Sequence, residues 1–427
     1  MRLTSNQALE RLMSTGMRKA KGKPLQLAQR VKSYRKDRLF VFEREGTAIV
    51  TPADDTIQPI VAEFDYELGC INPTAQLVLN DYAKEVKAIQ EGEFDEPWTT
   101  PTAEPTDYIA PLMPEIMWHQ HRPFNDNLDF VEVVPTKGLV ERCLVGCTST
   151  AVAQLVYYLG KRGWKRGCVA TPPYTSQLIH GCQFEVTPEA ARTSFDFANM
   201  LDNYTKRKGS QYVNVVSYTE EQGKAAADLC AHVGKAMQSK YSPAGSGQIE
   251  KYIADAMENK LHLGHVTIYK QGSKADASST KYLDKVRESL AKGLPVVICG
   301  YTGTTSAASG HCFLCEGYRP SDDTYYINWG WGVGYNNGWF KMDNLKYYSK
   351  ASDASFKFSF AKNFLILDAC PSWLMDVNRD GRINMSDVTE VIDASIKGKY
   401  DPMADVNYDG KVDIDDAQAI TNKILNR

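Results

Sequence analysis

The sequence contains no run of about 18 apolar residues, so nothing in it reads as a membrane span. Its beginning, MRLTSNQALERLMSTGMRKAKGKPLQ, lacks the hydrophobic stretch of a secretory signal. That leaves a cytoplasmic protein or one whose signal has been removed. Strong charge of either sign is also missing. A formal net charge of −3 makes no case for nucleic acid or an anionic membrane as partner, and the run RKAKGK reads as solvated surface. Cysteine is thin on the ground. Ten residues spread from Cys70 to Cys370 do not make a disulfide scaffold. Cys143 and Cys147 are four apart, without a second pair at that spacing, and none of the spacings reads as a zinc site. The redox compartment stays open.

What is present divides into regions, as 427 residues require. From about residue 37, RLFVFEREGTAIVTPADDTIQPIVAEFD alternates apolar and polar residues, predicting a small sheet of two or three strands. PTAQLVLNDYAKEVKAIQ follows with helical spacing. EGEFDEPWTTPTAEPTD is acidic and rich in Pro and Thr, the composition of an exposed, cleavable linker. The region 107–369 reads as mainly helical first. It then has strand-like runs: LPVVICGY, HCFLCEGY, DTYYINWGWG, NGWFKM and NFLILD.

The last region repeats itself with a period of 29 residues: DVNRDGRINMSD from Asp376 and DVNYDGKVDIDD from Asp405. Oxygen-bearing side chains alternate in each loop. They are Asp376, Asn378, Asp380, Asn384 and Asp387 in the first, and Asp405, Asn407, Asp409, Asp413 and Asp416 in the second. Gly381 and Gly410 stand where a tight turn needs no Cβ, and Ile383 and Val412 would pin each loop to a core. The carbonyls of Arg382 and Lys411 complete the set. Hard oxygens at this spacing suit Ca²⁺. The alternative is a pair of solvated Asp/Asn turns, which tandem repetition disfavours. Two loop-helix units closing on Asp rather than Glu resemble a type I dockerin over 372–427. That resemblance implies an all-α module, two bound Ca²⁺ ions and docking to a cohesin-like scaffold protein.

GCTSTAVAQ, from Gly146, sets a cysteine at the start of a helix whose apolar face is Val152, Leu155, Val156 and Leu159, with Gly160 as its stop. Unpaired N–H groups at a helix N-terminus favour a thiolate. A thiolate in acyl transfer needs an imidazole to share its proton. Among seven histidines, His311 follows a glycine and opens the strand-like CFLCEGY. Cys312 and Cys315 are placed to pack beneath it.

GCTSTAVAQ, SGHCFLCEGY and YINWGWGVGYNNGWF together resemble the streptopain-type (C10) cysteine peptidases, with WHQHRPFN, FDFANMLDNY and YSPAGSG also fitting. The resemblance implies an α+β, papain-like two-lobed fold. It implies a small α+β propeptide over 1–106, a peptidase domain over 107–369, and a peptide or protein substrate. Carried onto this sequence, Cys147 is the nucleophile and His311 the acid/base. Gln120 and the Cys147 N–H bind the oxyanion, Asn328 orients the imidazole, and Trp329 and Trp331 shield the pair from water. No cofactor is needed for that chemistry. Thr148, Ser149 and Cys312 depart from the family's usual Val, Ala and Ala and leave substrate preference open. The expected protein is a secreted endopeptidase made as a zymogen, with its own propeptide as first partner. Two alternatives are a calcium-dependent adhesion or docking protein with an inactive peptidase fold, and a Cys-His acyl transferase.

Overall fold

A computed structural model describes residues 2–15, 23–92, 108–134, 137–162, 164, 167–176, 183–208, 211–248, 250–263, 266–270, 281–302, 309–342, 361–367, 375–378, 382–398, 404–406 and 411–425. The expected linker falls largely outside them.

The chain opens with α1 (Ser5–Ser14), where Thr4 and Gln7 exchange the reciprocal bonds of a capping box. Strands β1 (Gln26–Ser33), β2 (Lys36–Arg44), β3 (Thr47–Pro52) and β4 (Ala62–Asp65) follow as an antiparallel meander. The stretch from about residue 37 holds three of these strands, as expected, and β1 precedes it. The β1–β2 turn carries Tyr34 and Arg35 at φ +49° and +64°, a left-handed turn without the Gly or Asn that would have signalled it. Helix α2 (Pro73–Gln90) starts on the Asn72 cap, with Pro at the first helical position.

Helices α3 (Cys147–Lys161), α4 (Glu220–Ala236) and α5 (Glu250–Asp255) make the helical lobe. It also contains three two-stranded ribbons: β5 (Phe130–Val134) with β6 (Leu139–Arg142), β7 (Tyr174–Thr175) with β8 (Glu185–Val186), and β9 (Thr205–Lys208) with β10 (Gln211–Asn214). After β11 (Val266–Lys270) and α6 (Lys281–Ala291), the chain forms β12 (Val296–Thr302), β13 (Ser309–Arg319), β14 (Thr324–Asn328), β15 (Gly338–Phe340) and β16 (Ala361–Leu367). All five strand-like runs of the sequence are strands.

These strands join the first four in one sheet of order β1-β2-β3-β4-β15-β14-β13-β12-β16-β11. The seam is β4 on β15, where Phe64 faces Gly338 and a Cβ on that glycine would lie 2.4 Å from the Glu63 carbonyl oxygen. Alternation sorts β12 and β13 between two cores. Val297, Cys299, Cys312 and Leu314 join α3 and α4, while Val296, Ile298, Phe313 and Cys315 join α2 and α6.

Helix α3 is enclosed along its length. Val152, Leu155, Val156 and Leu159 are all fully buried, each such burial stabilising by about 1.5–3 kcal/mol. Gly160 is not the stop. The helix runs to Lys161, and a Cβ on Gly160 would lie 2.6 Å from the Phe197 ring. Close packing, not termination, selects that glycine. At the far end of the chain, α7 (Met385–Lys397) and α8 (Ile414–Leu425) enclose their own small core of Ile383, Val388, Val391, Ala404, Val406, Ala417 and Ile420.

Candidate active site

Cys147 is the first residue of α3 and half-buried. The residue before it is held at φ +87°, and a Cβ there would meet the Ser246 carbonyl oxygen at 2.7 Å. Only glycine fits on both counts. Burial pushes the Cys147 thiol up. The charge and hydrogen bond of His311 outweigh that, aided by the Cys312 N–H and the Thr148 hydroxyl, and hold the thiol at about 7 against its ordinary 9.0. The two residues paired from the sequence therefore meet. Thr148 turns toward the sulfur, whereas Ser149 turns away to Ser239 and Gln248.

His311 lies near the start of β13, opposite Gly300 of β12. Its Nε2 is 2.7 Å from the Trp329 carbonyl oxygen. A carbonyl only accepts, so Nε2 carries the proton and Nδ1 is left for the sulfur. Trp331 lies flat on the imidazole, with centroids 5.0 Å apart and planes 6° from parallel.

Two expectations need correction. Asn328 does not orient the ring: its Oδ1 accepts from the Gly330 N–H at 3.1 Å, and its Nδ2 donates to the Ile116 carbonyl at 2.8 Å. It is the last residue of β14, so the next carbonyl reaches the imidazole while its own side chain turns inward. Trp329 does not shield the pair from water. It is buried between Phe313 and Phe340 with its indole N–H on the Asn336 carbonyl, and its carbonyl is what touches the histidine.

Gln120 is buried in a segment held at several points. Its carbonyl accepts from the Val145 N–H at 3.2 Å, two residues ahead of Cys147. On one side, the Trp118 N–H donates to Gln154 Oε1 at 2.9 Å and the Met117 N–H donates to the Asp202 carbonyl. On the other, His119 accepts from the His121 N–H at Nδ1 and presents Nε2 to the Thr205 hydroxyl. Burial keeps His119 neutral, at about 3. FDFANMLDNY thus serves as the brace of the Gln120 segment.

Sequence reasoning missed three participants. Gln154, fully buried on α3, bridges Trp118 and Asn328 and so ties the three motifs together. A glutamine amid apolar residues was its signal. Glu316 is fully buried, with Oε2 accepting from the Met113 N–H at 2.9 Å, and burial pushes its carboxyl up to about 8. Cys299 and Cys312, partners across β12 and β13, form a disulfide beside His311. Only strand register reveals that pairing.

The N-terminal region is seated on the loop that follows Trp331. Asn336 accepts from the Asn72 N–H at 2.6 Å and donates to the carbonyls of Asp65 and Cys70 at 2.9 and 3.0 Å.

In the C-terminal loops, Asp387 is buried and accepts from the N–H groups of Asn378 and Asn384 at 3.1 and 2.9 Å. Asp416 does the same with Val406 and Asp413, at 2.8 and 2.9 Å. Asn384 and Asp413 also cap α7 and α8 through Ser386 and Asp415. Asp376, Arg382, Asp405 and Lys411 are described beside them, while Asp380, Asn407 and Asp409 lie outside the described residues. A buried carboxylate gathering each loop, in an all-oxygen donor set, fits a hard divalent cation. Among the described residues no helix is long and apolar enough to cross a membrane.

Comparison with known proteins agrees with this geometry. Residues 118–340, more than half of the chain, match the peptidase C10 family model, and residues 374–425 match the type I dockerin domain. The thiol protease/hemagglutinin PrtT of Porphyromonas gingivalis is 25% identical over 323 residues, or 72% of this chain. The chain spans about a third, 34%, of that curated relative's length. Among solved structures, a fragment of prointerpain A from Prevotella intermedia superposes with a TM-score of 0.59 at 22% identity, covering 79% of this chain and 97% of its own. With its cysteine and histidine in contact and its motifs in family order, the chain belongs to the peptidase C10 family of cysteine peptidases, with a papain-like fold and a type I dockerin domain of the calcium-binding kind.

Proposed function

We propose that the protein is a secreted cysteine endopeptidase made as a latent zymogen. The observation that carries this reading is the hydrogen-bonded pair of Cys147, at the start of α3, and His311, whose Nε2 is fixed on the Trp329 carbonyl; the pairing lowers the thiol despite burial. The thiolate attacks the scissile carbonyl. The Gln120 amide and the Cys147 N–H receive the oxyanion, a role whose loss typically costs about 10²–10³ in rate. His311, held by the Trp329 carbonyl and covered by Trp331, protonates the leaving amine, and water then releases the acyl-enzyme.

Residues 1–106 act as propeptide with linker, 107–369 as peptidase and 372–427 as docking module. Strand β4 on β15 and the Asn336 bonds anchor the propeptide, which cleavage between about residues 91 and 115 releases. Each dockerin loop holds one Ca²⁺ through Asp376, Asn378, Asp380, Asn384 and Asp387, or Asp405, Asn407, Asp409, Asp413 and Asp416, with the carbonyls of Arg382 and Lys411. The module then presents its helices to a cohesin-like partner.

The test follows the full chain and its Cys147→Ala variant on a gel, with a quenched fluorogenic peptide alongside. The variant is expected to keep its N-terminal segment and leave the peptide intact. Continued self-processing in the variant would overturn the assignment. Calorimetric titration with Ca²⁺ should give two ions per chain, and one in Asp416→Ala.

A further inference from the structure

The segment 205–214, which holds β9 and β10, reads TKRKGSQYVN, with three cations and no acid. It is clamped between two motifs of the cleft. On one side the Thr205 hydroxyl meets His119, and Tyr212 stacks on the His119 ring at 4.2 Å and lies tilted against the His121 ring at 4.7 Å. On the other, Lys206 pairs with Val333 and Arg207 reaches the Tyr335 hydroxyl at 3.3 Å. The N-terminal region lays an acidic turn on this ribbon. Glu67 Oε2 is 3.4 Å from Lys206 Nζ, over Gly334, where a Cβ would lie 3.1 Å from the same oxygen. Asp65, next to that turn, also feels the Lys206 charge.

Rings lead from the cleft to this spot. His311 to Trp331 is 5.0 Å, Trp331 to Tyr335 is 6.2 Å, and Tyr335 to the Arg207 guanidinium is 5.9 Å. Since His311 must protonate the leaving nitrogen, the substrate beyond the scissile bond runs on the Trp331 side. An extended peptide advances about 3.3 Å per residue and a glutamate side chain adds a few ångströms of reach, so the cations meet a side chain at most about four residues past the bond.

We propose that Lys206 and Arg207 form a subsite for an acidic substrate side chain on the leaving-group side, and that Glu67 occupies it in the uncleaved chain. The proposal rests on the peptidase reading above. Both partners of the Lys206–Glu67 pair are exposed, 40% and 53%, so the preference is modest and screened by salt.

The experiment uses self-activated protein and two quenched peptides that differ only in Glu or Gln, at the second to fourth positions after the scissile bond. At low ionic strength the Glu peptide should show a kcat/KM roughly threefold to fivefold higher. The ratio should shrink toward one in 0.5 M salt (about a 4 Å screening length) and in Lys206→Gln/Arg207→Gln. A second measurement needs no variant: a ratio of one at low salt in the unsubstituted enzyme overturns the subsite while leaving the peptidase reading intact. A preference that survives both salt and the double substitution also overturns it. Failure to cleave either peptide overturns both readings.

Discussion

Alkylation of Cys147 by iodoacetamide, followed against pH, tests the pairing of Cys147 with His311. Only the thiolate reacts. With the thiol at about 7, the rate in the full chain should rise with a midpoint near pH 7, a value that belongs to the Cys147–His311 pair. Replacing His311 by Ala removes the charge and the hydrogen bond that lower the thiol and leaves the burial that raises it. The midpoint should then move to pH 9 or above. Two pH units correspond to about 2.7 kcal/mol of lost thiolate stabilisation. The thiolate fraction at pH 7 falls about 50-fold. The more basic sulfur is the better nucleophile, so the rate falls only about fivefold to tenfold. The midpoint is therefore the sharper readout. Labelling must be read at the Cys147 peptide by mass spectrometry, because Cys70 is exposed and will also react. The buried Cys143 and Cys168, pushed up to about 12 and 11, should stay silent over this range. A midpoint that stays near 7 in the His311→Ala variant would refute the pairing and assign the whole effect to the helix N-terminus.

Three further predictions follow from the same structure. Gly146→Ala forces a side chain into a left-handed residue 2.7 Å from the Ser246 carbonyl; it should cost about 1–3 kcal/mol and most of the activity, read by thermal melting and peptide hydrolysis, and a wild-type melt would contradict it. Asn336→Ala leaves the buried Asn72 N–H and the part-buried Asp65 and Cys70 carbonyls without their partner; the loss of about 1–3 kcal/mol for the buried N–H, and less for the two carbonyls, should loosen the N-terminal region and speed self-processing on a gel time course, and an unchanged rate would count against the anchor. Glu316, ordinarily near 4.5, is raised to about 8 when folded; between those values the folded state holds a proton that the unfolded state has lost, so stability falls as pH rises through that window, and melts from pH 5 to 8 should show a slope that Glu316→Gln flattens.

Local sequence specifies the chemistry-bearing residues and their immediate settings. Gly-Cys ahead of the Val152–Leu159 face fixed a sulfur at a helix start, because helical periodicity and the glycine's backbone freedom act within a few residues. The same locality made α2, the five strands around His311 and the paired Asp loops legible. Tertiary structure alone decided which distant group meets which. Asn328 and the Trp329 carbonyl are neighbours in the chain, and only the end of β14 and its register over β13 determine that the carbonyl, not the amide side chain, reaches His311. The same holds for the Cys299–Cys312 pair, the Gln154 bridge and the joining of β4 to β15. Each is a contact between residues that no periodic pattern links. Such contacts form because burial demands a partner for every polar group, and the fold, rather than the local sequence, supplies it.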